Sequence, residues 1–538
     1  MRAEGRVRLV IFRVGMTLGE LCPDNSAPLP FFCYSRSMIL ALCLWLLAAA
    51  SELLLYKVLP TDKSRVVWAV ATGVLLLVSG TWLVFLHWQI WLAVWFLSLY
   101  KLLSLARAAV NRLPRRELQR MSVRAFAWLL LAQVIVMGLG WLMVHQRATA
   151  VYIFDLLVAT QVLAALVVLR VTVNTWRHTQ PGDLQTSLTD KELPTVSVLI
   201  PARNETDALQ RCLETLIASD YPKLEIIVLD DCSVNRRTPE IIRGFAQDGV
   251  RFIQGGEPNE VNWLAKNHAY ARLSEEASGK ILLFCGVDVE FSPHSVRCLV
   301  ELMHKRGKDM VSVMPLRAQK VWSEGSLLQP MRYFWEICLP RRFFKRPPVL
   351  STVWAIRTEA LERAGGFDAV ARSVTPEAHF ARQSVIGDKY SFIRSNLEFG
   401  VYSTKLASEQ YETTIRTRYP QLHRRLELVA VTTVLELFFL IGPFLGLLLL
   451  WALPHQLLLG SIWLICVVAL EATYYQVAVK TKLDNPAFAW LLFPAAVLTD
   501  LVMLHVSFWK YEFGRVDWKG RNVCVPVMRV EPHLPKLQ

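Results

Sequence analysis

No two of the ten cysteines stand in a CxxC pair. The closely spaced ligand sets of zinc sites and dithiol motifs are therefore missing. Cys212, Cys232, Cys285, Cys298 and Cys338 are dispersed through the middle of the chain, as reduced core residues of a cytosolic domain would be. No GxxxxGKS or GxxxxGKT occurs, and no G-x-G-x-x-G follows the first strand-like run of that region. P-loop chemistry and a dinucleotide fingerprint are excluded. Charged residues are scarce at 19%, below the roughly 25% of ordinary soluble domains.

Apolar sequence is plentiful instead: 53% of the 538 residues are hydrophobic, and 18 are tryptophan. About 20 apolar residues cross a bilayer as a helix. Runs of that length lie near 38–58, 66–86, 87–105, 125–145 and 150–172, and again near 428–452, 456–479 and 487–509. The chain divides accordingly into a tail (1–37), N-terminal transmembrane helices (38–173), a water-soluble domain (174–425), C-terminal transmembrane helices (426–509) and a basic tail (510–538). The first 37 residues hold Arg2, Arg6, Arg8 and Arg13 but no span. They read as a disordered tail, with Met38 as an alternative start.

The net charge is +14, yet the basic residues form no groove-like motif, so nucleic acid is not expected as a partner. They cluster beside the spans, within 107–124, within 341–346, and at Arg416, Arg418, Arg424 and Arg425. That is the positive-inside pattern, with attraction to anionic lipid. A multi-pass protein of the cell membrane with a cytosolic domain follows. Parity is unresolved: an odd number of spans after the domain puts the tail outside, whereas Lys510, Arg515, Lys519 and Arg521 argue for inside. "LIGPFLG" (440–446) is a candidate break, because Pro443 removes a backbone donor. The span count stays open.

The middle region alternates apolar strands, such as "TVSVLIPAR" (195–203), "LEIIVLDD" (224–231) and "KILLFCGVDV" (280–289), with amphipathic helices. That pattern predicts an α/β domain with a mostly parallel sheet. Ligands bind such sheets at the carboxyl ends of the strands. Those ends carry Arg203, Asn204 and Glu205, then Asp230 and Asp231, then Asp288 and Glu290. Together the three tips could hold a divalent metal and sugar hydroxyls. Each also has a plainer reading: Asp231 capping a turn with Ser233, or Asn204 as an N-cap. "EASGK" (276–280) reads as a helix end with a glycine cap.

"VSVLIPARNETDALQRCLETLIASDYPKLEIIVLDDCS", with "ILLFCGVDVEFSP", "RTEALERAGGFDAV" and the tail "VDWKGRNV", resembles the family 2 inverting glycosyltransferases of the GT-A fold. It is similar to the integral-membrane branch of ceramide and carotenoid glucosyltransferases. The resemblance implies transfer of a sugar from a nucleotide-sugar donor, foremost a UDP-sugar, to a lipid-like acceptor in the membrane, as in glycolipid biosynthesis. It implies that Asn204, Glu205, Asp230, Asp231, Lys266 and Asp288 line the donor pocket. It further implies that a divalent metal, Mg2+ or Mn2+, sits at Asp288 and that Glu377 is the catalytic base; Glu290, two residues after Asp288, would supply a second metal ligand if the chain stays extended there.

Three departures stand out. Gly286 replaces the first aspartate of the metal motif, Pro376–Glu377 replaces the Glu–Asp pair of the base, and "YETTIRTRYP" (411–420) stands where processive synthases have QxxRW. The last argues against a long polysaccharide product. The first two keep a second reading open: a catalytically weak or inactive membrane scaffold that retains the fold. A transporter is a third reading, from acids in the spans such as Glu436, Glu471 and Asp500. His379 and Trp263 read equally well as structural residues.

Overall fold

The computed structural model describes residues 147–182, 188–258, 263–318, 327–339, 347–450, 456–482, 489–513 and 516–523. It also describes 40–48, 70–84 and six further residues (67, 95, 98, 99, 131 and 135). The expected tail 1–37, most of the span runs up to 145 and the basic clusters within 107–124 and 341–346 lie outside these residues. Two compact units are present, Met1–Arg147 and Ala148–Gln538. In the first, Trp45 donates to Ser98 Oγ at 3.3 Å and Trp95 to Thr81 Oγ1 at 2.9 Å.

The second unit opens with helix α1 (Arg147–His178) and enters the domain at β1 (Val196–Ala202). Every residue of β1 except Pro201 is buried, as expected of a central strand with helices on both faces. β1 pairs in parallel with β2 (Leu224–Asp230) on one side and β4 (Ile281–Cys285) on the other. β3 (Val250–Gln254) adds outside β2. Beyond β4 come β8 (Val353–Arg357), β6 (Met310–Met314) and β9 (Tyr390–Arg394), giving the order β3-β2-β1-β4-β8-β6-β9. Only β8 runs antiparallel to its neighbours, so the expectation of a mostly parallel sheet holds. A second sheet joins β5 (Val289–Phe291), β10 (Val401–Ser403) and β7 (Leu316–Arg317).

Helices α2 (Asp207–Ile217), α3 (Arg237–Gly244), α4 (Ala265–Glu276) and α5 (Ser295–Lys305) alternate with the first strands. One face of the sheet packs Leu213, Leu216, Val300 and Met303. The other packs Tyr270, Trp354, Phe284, Phe367 and Phe380, with the Phe284 and Trp354 rings stacked at 4.1 Å. Gly279 is not a helix cap as expected. Helix α4 ends at Glu276, with Ala277 as its cap, and a Cβ on Gly279 would lie 2.6 Å from the Ser197 backbone nitrogen. The glycine lets the chain pass β1.

A third core joins the domain to helices of membrane character. It holds Met331, Phe334 and Ile337 of α6 (Leu328–Cys338) with Leu470, Tyr474, Phe493 and Leu501. Among the described residues three helices are long and apolar enough to cross a membrane: Val151–His178, Glu427–Leu448 and Leu457–Ala478. The second is broken where expected. Leu437–Ile441 widens into a π turn just before Pro443, and Gln161 of α1 donates to the Phe438 carbonyl at 2.7 Å. A backbone group loosened at the break is thereby satisfied from a neighbouring helix.

The expected span at 487–509 differs. Residues Phe493–Phe513 form a helix, but it packs on the polar helix Ala407–Gln421 and carries Asp500, which pairs with Arg418. The basic cluster 416–425 is likewise engaged within the protein. Arg418 also reaches Glu436 at 2.9 Å, Arg424 reaches Glu512 at 3.5 Å and Arg425 reaches Glu427 at 2.9 Å.

Candidate active site

Register places the three strand tips side by side, because β1 is hydrogen-bonded to both β2 and β4, and Ala202 lies opposite Asp230. Their side chains then take different partners. Asn204 is no helix cap: in the left-handed region at φ 50°, it accepts the amides of Val234 (2.8 Å) and Asn235 (3.2 Å). It ties the first tip to the second. Asp230 accepts the Ser233 amide at 3.0 Å, the turn-capping role expected of its neighbour. Asp231 and Glu205 turn into the site.

Both meet the C-terminal tail. After the helix Phe493–Phe513, a hairpin of β11 (Asp517–Trp518) and β12 (Arg521–Asn522) turns through Lys519 and Gly520. Lys519 Nζ lies 2.7 Å from Glu205 Oε2, and Arg521 Nη1 lies 2.5 Å from Asp231 Oδ2. Arg521 also holds Glu257 at 2.6 Å. The Lys519 carbonyl accepts from Arg203 Nε (3.0 Å) and Asn204 Nδ2 (2.9 Å). Burial raises the Glu205 and Asp231 carboxyls above their usual range, with Lys519 and Arg521 opposing it. The hairpin is thus packed on the domain.

Behind the hairpin lies a cavity of about 100 Å³ containing Glu377, Lys266, Arg332, Arg416, Trp518 and Arg521 in its walls. Glu377 stands in the first turn of α7 (Pro376–Ile386), where Pro376 costs no hydrogen bond. It is 3% exposed, and its Oε2 has no hydrogen-bond partner. A buried carboxylate oxygen without a donor is costly. Lys266 lies over the Tyr270 ring at 5.2 Å, and burial, despite Glu377, pulls its ammonium down to about 8. Trp263 lines the same cavity. His379 instead reaches the Ala364 carbonyl at 3.3 Å, a structural contact.

Asp288 sits apart from this cavity wall, 3.4 Å from Lys405 Nζ. Burial pushes its carboxyl up, but Lys405 and local hydrogen bonds outweigh this and hold it below its usual range. Glu290 pairs with Arg211 at 3.1 Å. The two carboxylates expected to share a metal therefore face different cations. Among the described residues, no group of three His, Cys, Asp or Glu side chains could hold an ion. A Cβ on Gly286 would fall 2.5 Å from Asp288 Oδ1, the free end of a side chain, so an aspartate there would require the Asp288 carboxylate to turn aside. These residues do not fit a metal bound between two carboxylates.

Residues 197–365 match the family model "Glycosyl transferase family 2". The chain carries a family 2 glycosyltransferase domain. The probable glycosyltransferase YdaM of Bacillus subtilis is 28% identical over 189 residues, 33% of this chain and 44% of that one. Glycosyltransferase AglE of Haloferax volcanii is 37% identical over 19% of this chain and 32% of its own. The 4,4'-diaponeurosporenoate glycosyltransferase of Staphylococcus haemolyticus is 31% identical over 22% of this chain and 32% of its own. The matched stretches thus span less than half of each relative. Among solved structures, mannosyltransferase PcManGT from Pyrobaculum calidifontis, in complex with GDP-Man and Mn2+, aligns with a TM-score of 0.39 at 17% identity. That alignment covers 66% of this chain and 98% of the other.

The family 2 domain therefore contains the β1, β2 and β4 tips, Lys266 and Asp288. Glu377, Lys405 and the hairpin lie C-terminal to the matched residues. Reading the sequence missed Lys405, Arg332 and the roles of Lys519 and Arg521. Only "VDWKGRNV", a basic turn around a glycine, carried a signal for the last two.

Proposed function

We propose that the chain is an inverting glycosyltransferase that moves a sugar from a nucleotide-sugar donor to a lipid-like acceptor, at the face where the domain meets its membrane helices. The family 2 domain supports the reaction class. The observation that carries the mechanism is Glu377: a carboxylate with an unpartnered oxygen in a cavity that also has Lys266, Arg332, Arg416 and Arg521 in its walls. The acceptor hydroxyl gives its proton to Glu377 as its oxygen bonds to the sugar's anomeric carbon. The bond from that carbon to the diphosphate breaks, and its electron pair leaves on the nucleoside diphosphate. A single displacement inverts the carbon.

Two features support a lipid-like acceptor. Arg332 lines both the Glu377 cavity and a second one that reaches Trp335, Arg418 and Asp500 at the membrane helices. An apolar groove of about 610 Å³, with Leu437, Leu498, Leu501 and Val502 in its walls, opens beside Trp509 and Lys510. An acyl or isoprenoid chain fits such a groove while its hydroxyl stays at the interface. Free cysteines in the domain accord with a reducing, cytosolic side.

The test is equilibrium binding of a panel of UDP- and GDP-sugars to the detergent-purified full chain. Saturable binding of at least one donor is expected. A folded sample that binds none contradicts the reading and leaves the scaffold alternative.

A further inference from the structure

Cations gather at the reaction cavity and at the one that adjoins it. Lys266, Arg332 and Arg416 line the cavity of Glu377, and Arg332 shares the adjoining one with Lys405. Arg332 donates to Ser351 Oγ at 3.2 Å, Arg416 stacks on Trp518 at 4.5 Å and Lys266 lies over Tyr270. Among the described residues, none of these three has a carboxylate at ion-pair distance. Their charges also oppose one another. Arg416, Arg332 and Lys405 all add to the burial that depresses the Lys266 ammonium. Like charges gathered in a partly desolvated cavity are unfavourable until an anion of matching charge joins them.

The position of Lys405 is set by the backbone. It lies two residues after β10, which pairs antiparallel with β5, and the intervening Thr404 donates its amide to the Asp288 carbonyl at 3.0 Å. Sheet register therefore delivers an ammonium to Asp288, the carboxylate at which the family resemblance puts a metal. Gly286 removes the companion carboxylate, and Glu290 is taken by Arg211.

Resting on the glycosyltransferase reading above, we propose that Lys405, Arg332 and Arg416 hold the donor's diphosphate, with Lys405 occupying the place of the divalent metal. When the anomeric C–O bond breaks, its electron pair goes to the terminal phosphate oxygen of the departing nucleoside diphosphate. That added charge is met by the ammonium and the two guanidinium groups. No proton need pass to the leaving group, and the acceptor's proton goes to Glu377. Arginine and lysine serve phosphate in this way because their N–H groups give charge-assisted hydrogen bonds.

The experiment is calorimetric titration of the full chain in detergent with UDP and with GDP, in excess EDTA and again with Mg2+ or Mn2+. At least one of the two is expected to bind in EDTA, with a Kd that metal changes by less than about threefold. Lys405→Met should weaken that binding by about tenfold or more, as loss of a charge-assisted contact does. Lys405→Arg should recover most of it. Asp288→Asn separates the accounts by sign: it frees Lys405, so binding in EDTA holds or tightens, whereas a metal ligand's loss would weaken metal-dependent binding. Binding that appears only with metal and vanishes in Asp288→Asn overturns the inference and leaves the glycosyltransferase reading standing. No binding of either nucleotide under any condition, in folded protein, overturns both.

Discussion

Arg521 Nη1 lies 2.5 Å from Asp231 Oδ2, across 290 residues of sequence. One partner directly follows strand β2; the other follows the helix Phe493–Phe513. Their side chains are 14% and 4% exposed, so the pair is largely removed from water. The contact closes the chain into a loop that ties the donor side of the sheet to the helices beneath it.

Breaking such a pair from one side leaves a buried charge alone. Arg521→Ala should therefore lower stability by about 3 kcal/mol, seen as an earlier thermal unfolding transition in detergent. Asp231→Asn should cost less, because Arg521 keeps Glu257. A double-mutant cycle should return a clear coupling energy. Unchanged stability in Arg521→Ala would mean that the hairpin is not fixed on the domain.

Lys266 gives donor binding a pH dependence. Its folded-state value is about 8, against an ordinary 10.5. Below pH 8 both folded and unfolded chains hold the proton, and the buried charge counts fully against the fold. Between these values only the folded chain loses the proton, so stability rises with pH while the charge available to a phosphate falls. The neighbours Arg416, Arg332 and Lys405 favour this loss, and Glu377 opposes it. Nucleotide-sugar affinity should thus fall as pH passes through about 8. Lys266→Arg, which does not titrate there, should flatten the profile.

Gly279→Ala tests the packing of helix α4 onto the sheet. The added methyl meets the Ser197 backbone nitrogen at 2.6 Å, and backbone in a central strand cannot yield. A loss of about 1–3 kcal/mol is expected, read from chemical or thermal unfolding. A neutral result would place the α4–β4 connection differently.

The sheet was legible because its information is local. Runs such as "VSVLIPA" and "LEIIVLD" are mostly apolar, as doubly covered strands are, and carboxylates mark their ends. The roles of those carboxylates were less so. Asp230 and Asp231 are adjacent and identical, yet alternation of side chains sends one to the Ser233 turn and the other to Arg521. Lys405 and Arg521 were invisible as site residues because each arrives through long-range pairing. For the same reason Arg418, Arg424 and Arg425 read as lipid-facing charge, although each meets a carboxylate once the helices pack.

The most direct measurement is nucleoside diphosphate release by the purified full chain, given a nucleotide-sugar and a membrane lipid extract, beside Glu377→Gln. The account predicts lipid-dependent release and a glycolipid whose anomeric configuration is opposite to that of the donor. Glu377→Gln should lower turnover by about 10²–10⁴-fold, the usual contribution of a general base, while binding the donor within a few-fold of the unaltered chain. Equal turnover in Glu377→Gln, or a product that retains the donor's configuration, would contradict it.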